Sequence, residues 1–331
     1  MSKALGSLAA VIAVGLAAAA AGSIAGLQAA VAIAIPYICF AALLAGLTWR
    51  VVRWSLAPVP FRIPTVCGQQ KSLPWIKAGW LESPYTTLGV IARMALEILT
   101  FRSLFRNVRS RLEAGPRLIY GEAKWLWLAA MAFHWSLLII LLRHLRLFVE
   151  PAPKLAVLLD RLDGFFQIGA PVVYITDAMI LAALAYLLQR RFREPQVRYI
   201  SLATDYFALF LLLAIAFTGV WMRYFARTDV VAVKQFAIGL AVFGPVVPKT
   251  AGAWFYAHLV LVSTLAAYLP FSKLMHMGGV FLSPTRNLAN NNRMKRHVNP
   301  WNYPVKVHTY EEWEDEFRDK IEAAGLPVER R

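Results

Sequence analysis

The sequence predicts an all-α integral membrane protein with six transmembrane helices, a cytoplasmic loop and a C-terminal tail, and three observations predict it. The 331 residues are 59% hydrophobic with a mean hydropathy of +0.52, and only 16% are charged, too apolar a balance for a soluble domain. The apolar residues gather into runs of about 20, the length that crosses a bilayer as a helix. Lys and Arg fall between the runs and mostly on one side, as the positive-inside rule requires.

The six runs fall at 5–25, 30–53, 124–147, 168–189, 204–223 and 251–277. The first reads as a retained helix rather than a signal peptide, because it carries a single Lys3 and its apolar stretch exceeds a typical signal core. Between the first two only Gly26 and Gln28 interrupt an Ala-rich sequence, so one long tilted helix is the alternative there. Residues 233–247 are too short to span and suit an interfacial or re-entrant piece. Of 35 basic residues, 27 lie at Lys3, 50–124, 190–198, Lys273 and 283–331, and the opposite side holds eight. This bias places both termini in the cytoplasm, which agrees with six crossings. It also explains a net charge of +16 by topology, so no nucleic-acid partner is expected.

The chain divides into an extra N-terminal helix (1–28), a membrane domain (29–282) with its cytoplasmic loop at 54–123, and a cytoplasmic tail (283–331). Within the loop, Ser83 and Pro84 read as a helix start, and the apolar and basic residues after them suit a membrane surface or a partner. The tail has an Asn-rich, basic half and an acidic, helical half, with Trp301, Tyr303, Tyr310 and Trp313 suited to docking on another subunit. Two cysteines, Cys39 and Cys67, are too few for a four-cysteine iron–sulfur cluster or for covalent haem attachment.

Chemistry comes down to four histidines inside apolar spans: His134 and His144, 10 residues apart, and His258 and His276, 18 apart. An imidazole in hydrocarbon is costly and needs a partner or ligand. Along a helix those spacings rise about 15 and 27 Å, and both keep the pair on one broad face. The helix at 124–147 runs outward and that at 251–277 inward, so His134 matches His276 in depth and His144 matches His258. Two imidazoles on opposite sides of a porphyrin plane supply the two axial ligands of a haem, and bis-histidine ligation of two haems is the leading reading. The alternative is a cofactor-free anchor or transporter whose histidines line a proton or substrate path. Gly219, Gly252 and the alanines of the spans leave room for a macrocycle. His297 and His308 lie in the polar tail and read as solvated or interface residues, whereas Asp177, Asp205 and Arg223, in or at the ends of spans, call for pairing, capping or a proton path.

The segments FHWSLLIILLRHLR (133–146) and HLVLVSTLAAYLPFSKLMH (258–276), with their Pro270-Phe271-Ser272-Lys273 element, resemble the nitrate reductase gamma-subunit family, whose NarI-like members are dihaem cytochromes b. The resemblance covers about 30–282. The N-terminal helix, long loop and tail, through TVCGQQKSLPWIK (65–77), RSLFRNVR (102–109) and NRMKRHVNPWNYPVKVHTYEEWEDEF (292–317), are similar to one branch, the DsrM-type membrane cytochrome b subunits of DsrMKJOP complexes linked to dissimilatory sulfite reductase. The resemblance implies a NarI-like bundle built from the last five helices, in a bacterial cytoplasmic membrane. It implies two b haems, on the cytoplasmic side held by His134 and His276 and on the outer side by His144 and His258. It also implies a quinone or quinol site, a cytoplasmic iron–sulfur partner similar to heterodisulfide reductase catalytic subunits (DsrK-like), and further membrane and periplasmic subunits. In the family, quinol is oxidised beside the outer haem by the residue before its first ligand and a lysine downstream. Here these positions are Arg143, in place of a glycine, and Lys154 or Arg161. Arg143, Arg146 and Lys154 alternatively serve haem propionates or lipid headgroups near the outer surface.

Overall fold

The computed structural model describes residues 2–57, 68–112, 115, 117–167, 171–248, 250–283, 286–295 and 307–329. Cys67, His297, Trp301 and Tyr303, with most of the Pro-rich stretch and much of the Asn-rich one, lie outside the described residues.

Helix α1 (Ser2–Gly22) is separated from α2 (Ile35–Ser55) by a turn in which Gly26 has a φ of +92°, a backbone that glycine alone adopts freely. The two runs are therefore two helices, not one tilted one. A π-helical turn at Ala30–Ala34 leads into α2.

In the loop, α3 (Thr87–Thr100) starts later than Ser83 and Pro84 suggest: Thr86 is the N-cap and accepts from the Gly89 N–H at 3.2 Å, while Ser83 is fully buried. The helix ends at Phe101, whose φ of +48° turns the chain into a short α4 (Arg102–Phe105). Beyond it the sequence forms a hairpin, β1 (Val108–Leu112) with β2 (Leu118–Glu122), in register from Val108 opposite Glu122 to Leu112 opposite Leu118.

The remaining helices are α5 (Lys124–His144), α6 (Lys154–Asp163), α7 (Ile175–Arg193), α8 (Pro195–Ile200), α9 (Ala203–Tyr224), α10 (Val230–Ala241), α11 (Ala253–Tyr268), α12 (His276–Leu282) and α13 (Tyr310–Ala323). A second small hairpin, β3 (Gly164–Phe166) with β4 (Val173–Tyr174), joins α6 to α7. The fold is all-α apart from these two loop hairpins.

Among the described residues, five helical stretches are long and apolar enough to cross a bilayer: Ser2–Gly22, Ala30–Ser55, Lys124–Leu147, Ala203–Tyr224 and Ala253–Phe271. They make this a multi-pass membrane protein. The fourth run, 168–189, forms a helix only from Ile175, and α7 carries Asp177 near its start and three arginines in its last turn. Its 19 residues still rise about 28 Å.

Central in the bundle is α11, which packs on α1, α2 and α9; α9 also packs on α1 and α7, and α7 on α5. On α1 the inward positions are Ala4, Ser7, Val11, Ala18 and Gly22, a stripe of mostly small residues that lets the backbones approach. Gly22 lies so close to Tyr256 that an added Cβ would fall 2.2 Å from its ring. The Ser7 hydroxyl donates to the Ala203 carbonyl on α9 at 2.8 Å. Large apolar side chains such as Leu16, Ile38, Phe40 and Leu141 point outward, as surfaces facing hydrocarbon do. Of the 233–247 segment only residues up to Ala241 are helical, as the end of the short helix α10, and Phe236 there is buried with Ala18, Val31, Phe255 and Tyr256.

The span at 251–277 is not one helix. After Tyr268 the chain makes two 3-10 turns, Leu269–Phe271 and Lys273–Met275, before α12 begins at His276. Pro270 is the physical reason, since it lacks the N–H that would continue the helix. The 27 Å rise expected between His258 and His276 therefore does not apply. In the tail, α13 matches the expected acidic helix, with a capping box between Thr309 and Glu312.

Candidate functional site

The four histidines end up on two sides of one bundle. His134 lies in the middle of α5 and His144 is its last residue, whereas His258 lies on α11 and His276 opens α12. These two sides do not pack broadly on each other, because α5 is held through α7 and α11 through α1, α2 and α9. Across this space the His134 and His276 rings have centroids 5.9 Å apart and planes at 81°. Two metal–nitrogen bonds of about 2 Å plus half of each ring make about 6 Å, the separation that an axial pair on one metal needs. The His134–His276 contact is one of the two pairs that depth matching suggests.

Each ring has its Nδ1 already engaged. His134 lies 2.8 Å from the Ala130 carbonyl, His144 2.7 Å from Ile140 and His276 2.9 Å from Lys273. A carbonyl only accepts, so Nδ1 carries the proton in all three and the lone pair is left on Nε2. His258 reaches the same state by a different route. Its Nδ1 is 2.8 Å from the Thr218 hydroxyl, which itself donates to Ala214 at 2.8 Å and Ile215 at 3.1 Å. With its one proton spent, that hydroxyl accepts from His258. Four imidazoles with Nδ1 donating and Nε2 free form the donor set of a ligating histidine with its supporting contact. Among the described residues no cluster of three or more His, Cys, Asp and Glu forms a metal site, and axial ligation by imidazole pairs needs none.

The space beside these rings is shaped by small residues and aromatics. A Cβ on Gly219 would come within 3.3 Å of His258 Cε1, so the glycine leaves room for that ring. Nothing lies near the corresponding position of Gly252. Phe101 and Phe133 meet the His134 ring edge-on, each at 4.9 Å. Phe101 is the left-handed corner between α3 and α4, so the long loop folds back onto α5. Trp127 and Trp135 of α5 fix it there by donating to the carbonyls of Thr100 and Leu99.

Beside His144 the structure builds a polar knot that the sequence did not reveal. Arg143 is 5% exposed; its Nε is 3.3 Å from Asp163 and its Nη2 is 3.4 Å from Asp177 and 3.2 Å from the Thr176 hydroxyl. Its guanidinium lies 3.7 Å over the Tyr174 ring, with Arg223 at 4.1 Å over the same ring. Tyr224 donates to Asp177 at 2.8 Å, Tyr174 to Asp160 at 2.5 Å and Arg146 to Asp160 at 2.7 Å. Arg223 donates to the Val172 carbonyl at 3.1 Å. Asp177 and Arg223 are thus paired, and Asp205 caps α9 through the Leu202 N–H while binding Lys273 at 2.9 Å. Lys154 and Arg161 are not in the knot; they line a shallow groove on the far side of α6. His308 is exposed, 4.0 Å from Glu312 and Glu316.

The loop before α5 is fastened by its own ions. Glu82 takes two bonds from Arg102, at 2.9 and 2.5 Å, and a third contact from Arg106, and these hold its carboxyl below the usual carboxylate range. Glu97 binds Ser103 and, at 2.5 Å, Arg286 of the chain beyond α12.

Comparison with known proteins agrees with this architecture. Residues 80–296 match the family described as nitrate reductase gamma subunit. The chain is 46% identical over 274 residues to the Hdr-like menaquinol oxidoreductase cytochrome b-like subunit of Archaeoglobus fulgidus, covering 81% of this chain and 82% of that one. It is 41% identical over 275 residues to the protein of the same description from Archaeoglobus profundus, covering 81% of each. By the family match over most of its length and by these two relatives, the chain belongs to the nitrate reductase gamma subunit family.

Proposed function

We propose that this chain is a dihaem b membrane subunit that passes electrons between the membrane quinone pool and a cytoplasmic iron–sulfur subunit. The observation that carries the reading is the state of the four imidazoles, each donating through Nδ1 and presenting Nε2, with His134 and His276 at the separation of an axial pair. His134 and His276 hold the haem nearer the cytoplasm and His144 and His258 the outer one. When bound, each haem supplies a one-electron redox centre. The chain supplies the ligands, the tautomer of each and an apolar surround.

The named activity of both relatives supports menaquinol as the quinone and a multi-subunit oxidoreductase as the setting. Quinol binds at the outer end of α5 and α7, next to His144, with Arg143 and its carboxylates in the wall; Lys154 and Arg161 lie at the approach. Six crossings, counting α7, put both termini in the cytoplasm. Pairing with Arg143 removes the cost of carrying Asp177 into the apolar layer. Similarity of the loop and tail to DsrM-type subunits supports a heterodisulfide reductase-like partner and a link to sulfur metabolism.

The test is a reduced-minus-oxidised spectrum of the purified protein with a menaquinol analogue as reductant. The expected result is a b-type α-band with two components, of which His144→Ala removes one. Absence of any b-type band overturns the reading, and two intact components in the variant overturn the pairing.

A further inference from the structure

Helix α6 carries two faces with different chemistry. Ala156, Asp160 and Asp163 form its inner stripe, where Asp160 holds Arg146 and Asp163 holds Arg143. The outer stripe runs Lys154, Val157, Leu158, Arg161, the i, i+3, i+4, i+7 spacing of one helical face. With Ala152 these residues line a groove of about 220 Å³. Leu155 and Leu162 flank it at 53% and 68% exposed.

By the charge count this is the cation-poor side of the membrane, and there Arg143, Arg146 and Lys234 are each held by a carboxylate, and Arg223 by a carbonyl. Lys154 and Arg161, like Arg227, have no acidic partner among the described residues. Lys154 and Arg161 alone share one helical face: they stand two helical turns apart, about 10 Å along the axis, and both side chains are long enough to converge on one group between them. Helix α6 joins the end of α5 to α7, so the groove lies beside the end of a span-length helix.

We propose that this groove is a binding site for an anionic phospholipid, its phosphate between Lys154 and Arg161 and its chains on Val157, Leu158 and Leu162. Charge complementarity and the exposed leucines select this occupant. A zwitterionic lipid leaves two cations uncompensated, and a soluble anion leaves the leucines in water. The proposal rests on the proposed orientation and shares Lys154 and Arg161 with the proposed quinol approach, but α6 carries none of the four histidines, so lipid retention can fail while both haems stay bound.

Lipid retention decides it. Native mass spectrometry of the full chain, exchanged from equimolar phosphatidylglycerol and phosphatidylcholine, is expected to show phosphatidylglycerol retained in preference. Lys154→Gln with Arg161→Gln lowers that preference by about fivefold per cation and about thirtyfold together. The charge-preserving pair Lys154→Arg with Arg161→Lys keeps it. An unchanged preference in the glutamine variant overturns the proposal. So does a photo-crosslinker at Leu158 that captures a protein chain rather than lipid in native membranes.

Discussion

Thr218 shows how one side chain decides the chemistry of another. It stands a full helix away from His258 in sequence, and serine or threonine in a helix ordinarily bonds only its own turn. Here it does both, spending its proton on the α9 backbone so that its oxygen accepts from His258. Thr218→Val keeps the shape and deletes the acceptor. Loss of such a supporting contact typically costs 10- to 100-fold in affinity, so haem titration should show the outer site weakened by about that factor and the inner site unchanged. The histidines themselves were legible, because four imidazoles in apolar runs are costly and their spacings match. Thr218 was not legible, since nothing near it in sequence marks it. The surroundings of Arg143 were hidden for a related reason: its partners Asp163, Thr176 and Asp177 come from other elements, and only the fold brings them to it.

At the scale of elements, the long loop is the part where sequence reading and structure differ most. A helix was expected from Ser83, yet Thr86 is the cap, and the strand of β1 follows where helix might have continued. Phe101 marks the change without any Gly or Pro to announce it. The break at Pro270 in the sixth run was likewise not foreseen, although a proline there cannot extend the helix. The loop's own fastening gives a pH prediction. Bonds from Arg102, then the charges of Arg102 and Arg106, lower the Glu82 carboxyl below its ordinary value. A depressed carboxylate stabilises the folded loop above its unfolded-state pKa, and the contribution is lost as pH falls through the lower folded value. Protection from hydrogen exchange over 82–107, relative to the intrinsic rate at each pH, should therefore fall as acidification protonates Glu82 below the ordinary carboxylate range, with Glu82→Gln already weakly protected at neutral pH. Equal exchange in the two proteins at pH 7 would show that the ion pairs do not hold the loop.

Over the whole molecule, the proposed orientation rests on the charge count. Helices α5 and α11 run antiparallel only if α7 crosses. Single cysteines placed at Ser2 and Leu326 should then label from the same side of oriented vesicles, with one at Leu155 labelling from the other. Labelling of Leu326 from the side of Leu155, opposite Ser2, would mean that α7 does not span. The apolar spans and their number near six could be read from composition alone, because hydrocarbon demands it. The packing order could not, since every span is apolar on all sides and no stripe says which neighbour it meets.

The close seat of Gly22 against Tyr256 joins the first helix made to one of the last. While the chain is being synthesised α1 has no such neighbour, and it waits in the bilayer as a lone helix until α9 and α11 arrive. Assembly is therefore late and non-local: chains cut short before α11 would insert yet never close. Such fragments would present the stripe of small residues to any other helix in the membrane, and quality-control proteases would meet them first.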